Sequence, residues 1–172
     1  FVVSTARTMI FHASLRWPDQ SRKELWPMAL QQAVHLHNYI PDIESGLAPI
    51  KVWTKSKSSH SALKNSHPWG CPVYILYPRL QDGQKIPKWE PRARVGQYMG
   101  TSLSHSNTVG LVRNLKTNRI SPQFHVIYDD SFETVHTDDD SKPLIWEELL
   151  TFSSFKTDFY SEEMSLGVNK EW

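Results

Sequence analysis

The chain is poor in cysteine and in long apolar runs, and it has no internal repeat. Cys71 is the one cysteine among 172 residues, which excludes an intramolecular disulfide and a Cys-rich zinc module. No apolar run approaches the roughly 20 residues of a membrane-spanning helix, and no signal peptide is visible. These absences exclude disulfide scaffolds and membrane-spanning proteins, and we expect no membrane partner. We also expect the chain, which starts at Phe1 inside a helical pattern, to be part of a longer protein.

Charge of both signs is present, but it is unevenly distributed along the chain. The net charge is +1 for the whole sequence. Residues 1–120 hold 16 Lys and Arg against 6 Asp and Glu, a net charge of +10, and residues 121–172 hold 3 against 12, a net charge of −9. A basic body with an acidic end predicts a polyanionic partner for the body. The alternative is internal neutralisation, in which the acidic end folds back onto the body.

Helical periodicity dominates the first 53 residues. Residues 1–16 predict one helix, which Pro18 ends, and residues 26–40 predict a second with Pro27 in its first turn and Pro41 at its end. Residues 48–53 predict a short helical turn that opens on a proline. The polar stretch 54–71 is predicted to be a linker.

From Pro72 onward the period changes to that of β-strands. Residues 72–77 alternate in the manner of a strand, and residues 93–99, 109–115 and 118–128 predict three more, with a hairpin turn at 114–118. Short strands at this spacing predict a small barrel over residues 72–135, followed by an acidic, poorly ordered tail over 136–172. The predicted barrel core comprises Val73, Ile75, Val95, Tyr98, Leu111, Ile120 and Val126.

Five blocks of sequence occur in an order that resembles the integrases of copia-type LTR retrotransposons. Each block is weak alone, and their order makes the signal specific over residues 1–135. Residues 5–10 resemble the last long helix of the catalytic core, residues 25–30 through 38–41 the next helix, residues 48–53 the short motif before the barrel, residues 67–74 the entry to its first strand, and residues 88–100, 110–121 and 125–130 the remaining strands.

The resemblance implies an α+β fold with a defined domain order. Residues 1–53 would be the C-terminal helices of an RNase H-like catalytic core, 54–71 a linker, 72–135 an SH3-like barrel and 136–172 an acidic tail, all within a Pol polyprotein. The family uses two aspartates and one glutamate to hold two metal ions, which stabilise the attacking and leaving oxygens of an in-line displacement. These positions would lie upstream of Phe1, so no catalytic residue is assigned. We expect the chain alone to be inactive and to hold no cofactor, whereas the parent integrase would use Mg²⁺.

Basic residues on and around the predicted strands are the candidate DNA-binding residues. Arg92 and Arg94 are two positions apart on a strand and therefore share a face. Contacts of such side chains to phosphates fix position and carry little sequence information. We expect DNA as a partner without sequence preference and, by the resemblance, the rest of the integrase, a homo-oligomer, and a nuclear location or a cytoplasmic particle in a eukaryotic host. The candidate set is Lys85, Lys88, Arg92, Arg94, Arg113, Lys116 and Arg119.

Other interpretations of the same residues stay open. The basic set is in the simplest case an ordinary solvated surface. SH3-type barrels also bind peptides in aromatic-lined grooves, which here would be formed by Tyr74, Tyr77, Trp89 and Tyr98, and an inert remnant of a retroelement is a third possibility. Tryptophans 53, 69 and 89 are predicted to pack between helices and barrel rather than to stack on bases.

Acidic and histidine side chains give no convincing metal site. Asp129 and Asp130 follow a strand, where a role in closing a turn is favoured over metal binding. His35 and His37 are two apart on a helix and point in different directions, so they cannot chelate one ion together. We therefore expect no metal site in this chain.

Overall fold

The computed structural model describes residues 1–55 and 61–135 as an α+β protein, in which helices precede a five-stranded antiparallel sheet. The α+β class predicted from the sequence is confirmed, and the predicted tail over 136–172 lies outside the described residues. The helices are α1 (Val2–Arg16), α2 (Trp26–Tyr39), α3 (Pro49–Thr54), α4 (Ser61–Lys64) and α5 (Pro78–Gln81), and the strands are β1 (Pro72–Leu76), β2 (Ala93–Thr101), β3 (Gly110–Asn114), β4 (Ile120–Gln123) and β5 (Val126–Tyr128).

Helices α1 and α2 pack on each other through small side chains, with buried alanines at positions 6 and 13 of α1 and 29 and 33 of α2. Two 3₁₀ turns, Pro18–Gln20 and Lys23–Leu25, connect them. α1 ends where predicted, because a residue that precedes a proline is disfavoured in the helical region and Trp17 has left it, with φ −142° and ψ 72°. None of the helices in the described ranges is long and apolar enough to cross a membrane.

The strand order of the sheet is β4-β3-β2-β1-β5, with every neighbouring pair antiparallel. The chain runs as a meander from β1 to β4, and β5 then pairs with β1 on its other side, Val73 opposite Tyr128. The single strand predicted over 118–128 is therefore wrong, because Phe124 and His125 lie between two strands that pair with different partners. Among the described strands β4 and β5 share no ladder, so hydrogen bonding leaves the predicted barrel open between them.

Both faces of β2 are covered along its second half. Tyr98 lies in an inner core with Val73, Ile75 and Val112, while the adjacent Met99 packs against α1 and α2. A bulge between Tyr98 and Gly100 interrupts the register with β3; such bulges bend a strand and increase its twist.

The strand phase predicted for Val95 was wrong. Val95 is paired with Tyr74, on the face of the sheet opposite the inner core. The helices do not bury it there, and it is 41% exposed. The predicted core positions Val73, Ile75 and Tyr98 are buried. The other three are partly buried, Leu111 and Ile120 against the helices and Val126 against the inner core.

Trp69 and Gln32 join the helices to the sheet. The Trp69 indole is buried and its Nε1 donates to the Met99 carbonyl at 3.1 Å. The Gln32 side-chain oxygen accepts the Thr101 amide at 2.9 Å. These two side chains satisfy backbone groups of β2 around its bulge, where the ladder to β3 is interrupted, and they fix the sheet against α2.

Candidate nucleic-acid interface

Six of the seven predicted DNA-binding residues lie at one end of the sheet. β1 ends there and β2 begins there, and the hairpin between β3 and β4 turns at the same end. Residues 77–94 and 115–119 hold seven Lys and Arg against two acidic residues, a net charge of +5. We call this surface the basic end; its cations are Arg79, Lys85, Lys88, Arg92, Arg94, Lys116 and Arg119.

Arg94 lies near the start of β2, and Arg92 immediately precedes that strand at a bend. The Tyr77 amide donates to the Arg92 carbonyl at 3.1 Å, so pairing between the two chain segments continues beyond the last residue of β1. The shared face predicted for the two arginines stays a prediction, because Arg92 lies outside β2. Arg92 is exposed, and Arg94 is half-buried with its Nε shielded from solvent. Arg92 is thus the more accessible of the two to a phosphate.

The β3–β4 hairpin presents two more cations beside β2. The Asn114 side-chain oxygen accepts the amides of Lys116 and Thr117, at 2.9 and 3.3 Å. Asn118 has φ +57°, a conformation that asparagine tolerates better than most residues. The hairpin predicted at 114–118 is confirmed, and the side chains of Lys116 and Arg119 are exposed at its tip.

Arg113 is not part of the basic end, and its assignment to the DNA-binding set was wrong. Its side chain is 1% exposed and donates from Nη2 to the Gln20 side-chain oxygen at 2.7 Å and from Nη1 to the Gln20 carbonyl at 3.2 Å. Burial, and then the charge of Arg22, lower the pKa of Arg113. Because the 3₁₀ turn after α1 covers this part of β3, Arg113 anchors that turn and does not reach a phosphate.

Arg113→Met is expected to lower the free energy of unfolding by about 2–3 kcal/mol, because two partly buried oxygens of Gln20 lose their donors. Arg119→Met, the same substitution on an exposed arginine of the hairpin, is expected to change it by less than about 0.5 kcal/mol. Urea unfolding of both variants measures the difference. Equal losses would show that Arg113 contributes no more than a surface arginine.

The three tryptophans considered for base stacking have different environments. Trp69 packs between helices and sheet, as predicted, whereas Trp53 and Trp89 are 87% and 91% exposed, so the packing prediction was wrong for these two. The Lys88 Nζ lies 5.7 Å from the centre of the Trp89 ring, within the range of a cation–π interaction. Trp89 is therefore an exposed aromatic side chain within the basic end.

The four aromatic residues predicted to line a peptide groove do not come together. Tyr98 is 1% exposed and belongs to the inner core, with its hydroxyl 3.2 Å from that of Thr101. Burial raises the pKa of Tyr98 to about 12. Tyr74 lies on the opposite face of the sheet, because Tyr74 and Val73 alternate along β1. One groove cannot include both tyrosines.

Asp129 closes the turn after β5, as predicted. Its carboxylate accepts the Glu133 amide at 3.1 Å and the Thr134 amide and hydroxyl at 2.9 and 2.6 Å. Burial acts to raise its pKa, but these hydrogen bonds outweigh burial and lower it. Phe132, in the same turn, has φ +59° and is 1% exposed, with its ring edge-on to His12. The turn seals the inner core.

Asp130 is bound to His67, 63 positions earlier in the chain. The His67 Nδ1 lies 2.9 Å from an Asp130 oxygen, and its ring stacks on Tyr128 at 3.5 Å. Cys71 is buried nearby, and burial followed by the charges of Asp130 and Asp129 raises the pKa of its thiol, so the nucleophilic thiolate is disfavoured. No group of three or more His, Cys, Asp or Glu side chains in the described ranges is arranged to hold a metal ion.

A shallow depression of about 520 Å³ lies beside this turn. Its side chains include His12 and Arg16 from α1 and Asp130 and Glu133 from the segment after β5. Because these basic and acidic groups oppose each other, the depression does not select a ligand of either charge.

No protein-family model matches the chain, and no curated protein or solved structure is detectably similar to it. The candidate interface is therefore supported by the geometry and charge of its own residues.

Proposed function

We propose that this chain is the DNA-binding C-terminal part of a copia-type retrotransposon integrase, which holds duplex DNA at the basic end without sequence preference. The cutting and joining would be carried out by an upstream part with Mg²⁺, in the nucleus or a cytoplasmic particle of a eukaryotic host. The observation that carries the proposal is the collection of seven cations from two chain segments at one end of the sheet.

The fold supports this proposal in two ways. A meander of four strands, whose first strand also pairs with the last, is the strand order expected for an SH3-like barrel. The sheet follows two packed helices, in the order that the sequence resemblance implies.

The charge distribution favours phosphate contacts over a small anionic ligand. Arg92, Lys116 and Arg119 are exposed on adjacent segments. A spread of cations over an open surface matches the repeated charges of a nucleic-acid backbone, where binding releases counterions.

The salt dependence of binding tests the proposal. If about four cations meet phosphates, log K against log salt for a blunt duplex should have a slope of roughly −3 to −4. Arg92→Ala combined with Arg119→Ala should weaken binding alike on all sequences and flatten the slope by about two. Fluorescence anisotropy of a labelled duplex, titrated at several salt concentrations, measures both quantities.

The matched control removes two exposed cations from the helical side, Arg7→Ala combined with Lys64→Ala, and should leave the slope unchanged. An affinity that ignores salt, or that falls equally in both double variants, would contradict DNA binding at the basic end. Salt-independent binding to peptides would instead support the alternative that the chain is a peptide-binding domain.

A further inference from the structure

Trp89 lies at the tip of a turn within the basic end. From its position we infer that the basic end binds single-stranded DNA next to a duplex, with Trp89 stacked on an unpaired base. This inference rests on the proposed DNA binding and adds a substrate class, namely DNA that carries an unpaired extension. Blunt duplex DNA would use the phosphate contacts alone.

The backbone around Trp89 is restrained, which favours a fixed presentation of the indole. The Glu90 amide donates to the Pro87 carbonyl at 3.1 Å, which closes a turn with Lys88 and Trp89 at its two central positions. Pro87 and Pro91 bracket the turn, and each fixes its own φ near −65°. A restrained turn loses less conformational entropy on binding than a free loop would.

The exposure of Trp89 is unusual for so large an apolar side chain. Its indole is 91% exposed, whereas Trp69 and Trp17 are buried in the two cores. Aromatic side chains in a positively charged groove are the recurrent platform for unpaired bases, and stacking tolerates every base because each has a π face. Bases inside a duplex are already stacked on each other and do not offer that face.

Three cations near Trp89 outnumber the one adjacent carboxylate, Glu90, and suit the phosphates on either side of a stacked base. Lys88 precedes the indole, Arg92 follows three residues later, and Lys85 lies on the other side of Pro87. The ammonium of Lys88 lies over the ring at 5.7 Å. These neighbouring cations distinguish Trp89 from Trp53, which is similarly exposed but lies on α3, a helix that contacts α2.

Three DNAs separate stacking from charge: a blunt duplex, the same duplex with a short thymidine extension, and the same duplex with an abasic extension of equal length. The two extended DNAs carry the same number of phosphates. The full chain is expected to bind the thymidine extension about tenfold more tightly than the abasic one, the change expected for one stacked base. Fluorescence anisotropy at one salt concentration measures all three affinities.

Trp89→Ala is expected to abolish the tenfold preference, whereas Trp89→Phe should keep most of it. Trp53→Ala is the matched control and should keep all of it. Thermal melting of each variant confirms that it is folded, as expected for substitutions at exposed positions.

The outcomes distinguish the two proposals. Equal binding of thymidine and abasic extensions overturns the stacking inference, and salt-dependent binding of the blunt duplex would still support the proposed function. A Trp89→Ala variant that weakens all three DNAs equally also overturns it, because the indole would then not recognise an unpaired base. Absence of binding to any of the three DNAs overturns both proposals.

Discussion

Val73→Asp is expected to unfold the protein, whereas Val95→Asp on the neighbouring strand is expected to leave it folded. Val73 is 0% exposed in the inner core, between Gly96 of β2 and Tyr128 of β5. An unpaired buried carboxylate costs several kcal/mol, comparable to the whole stability of a domain, which is about 5–15 kcal/mol. Val95 is 41% exposed, so an aspartate there reaches water and costs about 1 kcal/mol of strand propensity.

Circular dichroism and thermal melting of the two variants measure this contrast. Val73→Ala serves as the control for side-chain truncation alone and should remain folded at reduced stability. A cooperative melt for Val73→Asp, or an unfolded Val95→Asp protein, would show that the faces of β1 and β2 are assigned the wrong way round.

Gly70→Ala is expected to lower the free energy of unfolding by about 3–4 kcal/mol, for two separable reasons. Gly70 has φ +85°, and a Cβ there would lie 2.6 Å from the Cβ of Ala13 on α1. The left-handed conformation costs an L-residue about 1–2 kcal/mol, and forcing an extra methyl group into a packed contact costs about 1–3 kcal/mol.

A double-mutant cycle separates the two causes. Ala13→Gly removes the opposing methyl group, so Gly70→Ala in that background should cost about 1–3 kcal/mol less than in the original protein. Gly83→Ala is the control for backbone strain alone, because Gly83 has φ +76° and no atom within 4 Å of the added Cβ. Urea unfolding measures the free energies of the four proteins of the cycle and of the Gly83→Ala control. Simple additivity of Ala13→Gly and Gly70→Ala would contradict the close approach of α1 to this turn.

The sequence was sufficient for elements that are defined by local chemistry. Pro18 marks the end of α1 and Pro27 the start of α2, since proline restricts the residue before it and lacks an amide hydrogen. Asn114 and Asn118 mark the hairpin. Asn114 accepts amides of the turn and Asn118 adopts a positive φ, and both properties depend on residues within the turn. The alternation in β1 likewise identified Val73 and Ile75 as core residues.

The errors arise where a distant segment decides the environment. The burial of Met99 beside Tyr98 depends on helices that cover the second face of β2, and a strand covered on both faces has no alternation from which to derive its phase. The burial of Arg113 depends on Gln20, 93 positions earlier. The same holds for the three tryptophans at positions 53, 69 and 89. Of these, Trp69 packs in the core that α1, α2 and Met99 form, and the sequence around each tryptophan does not reveal that difference.

The pairing of β5 with β1 has a consequence for the order of folding. Tyr128 pairs with Val73, 55 positions earlier in the chain, while β1 to β4 form a meander of neighbours. Contacts between distant positions are slow to form because the loop between them must first close. During synthesis, one edge of β1 therefore stays open after the meander is complete, and exposed edges of this kind pair with other chains. The pairing of β5, rather than the completion of the meander, is the folding step that covers this edge of β1.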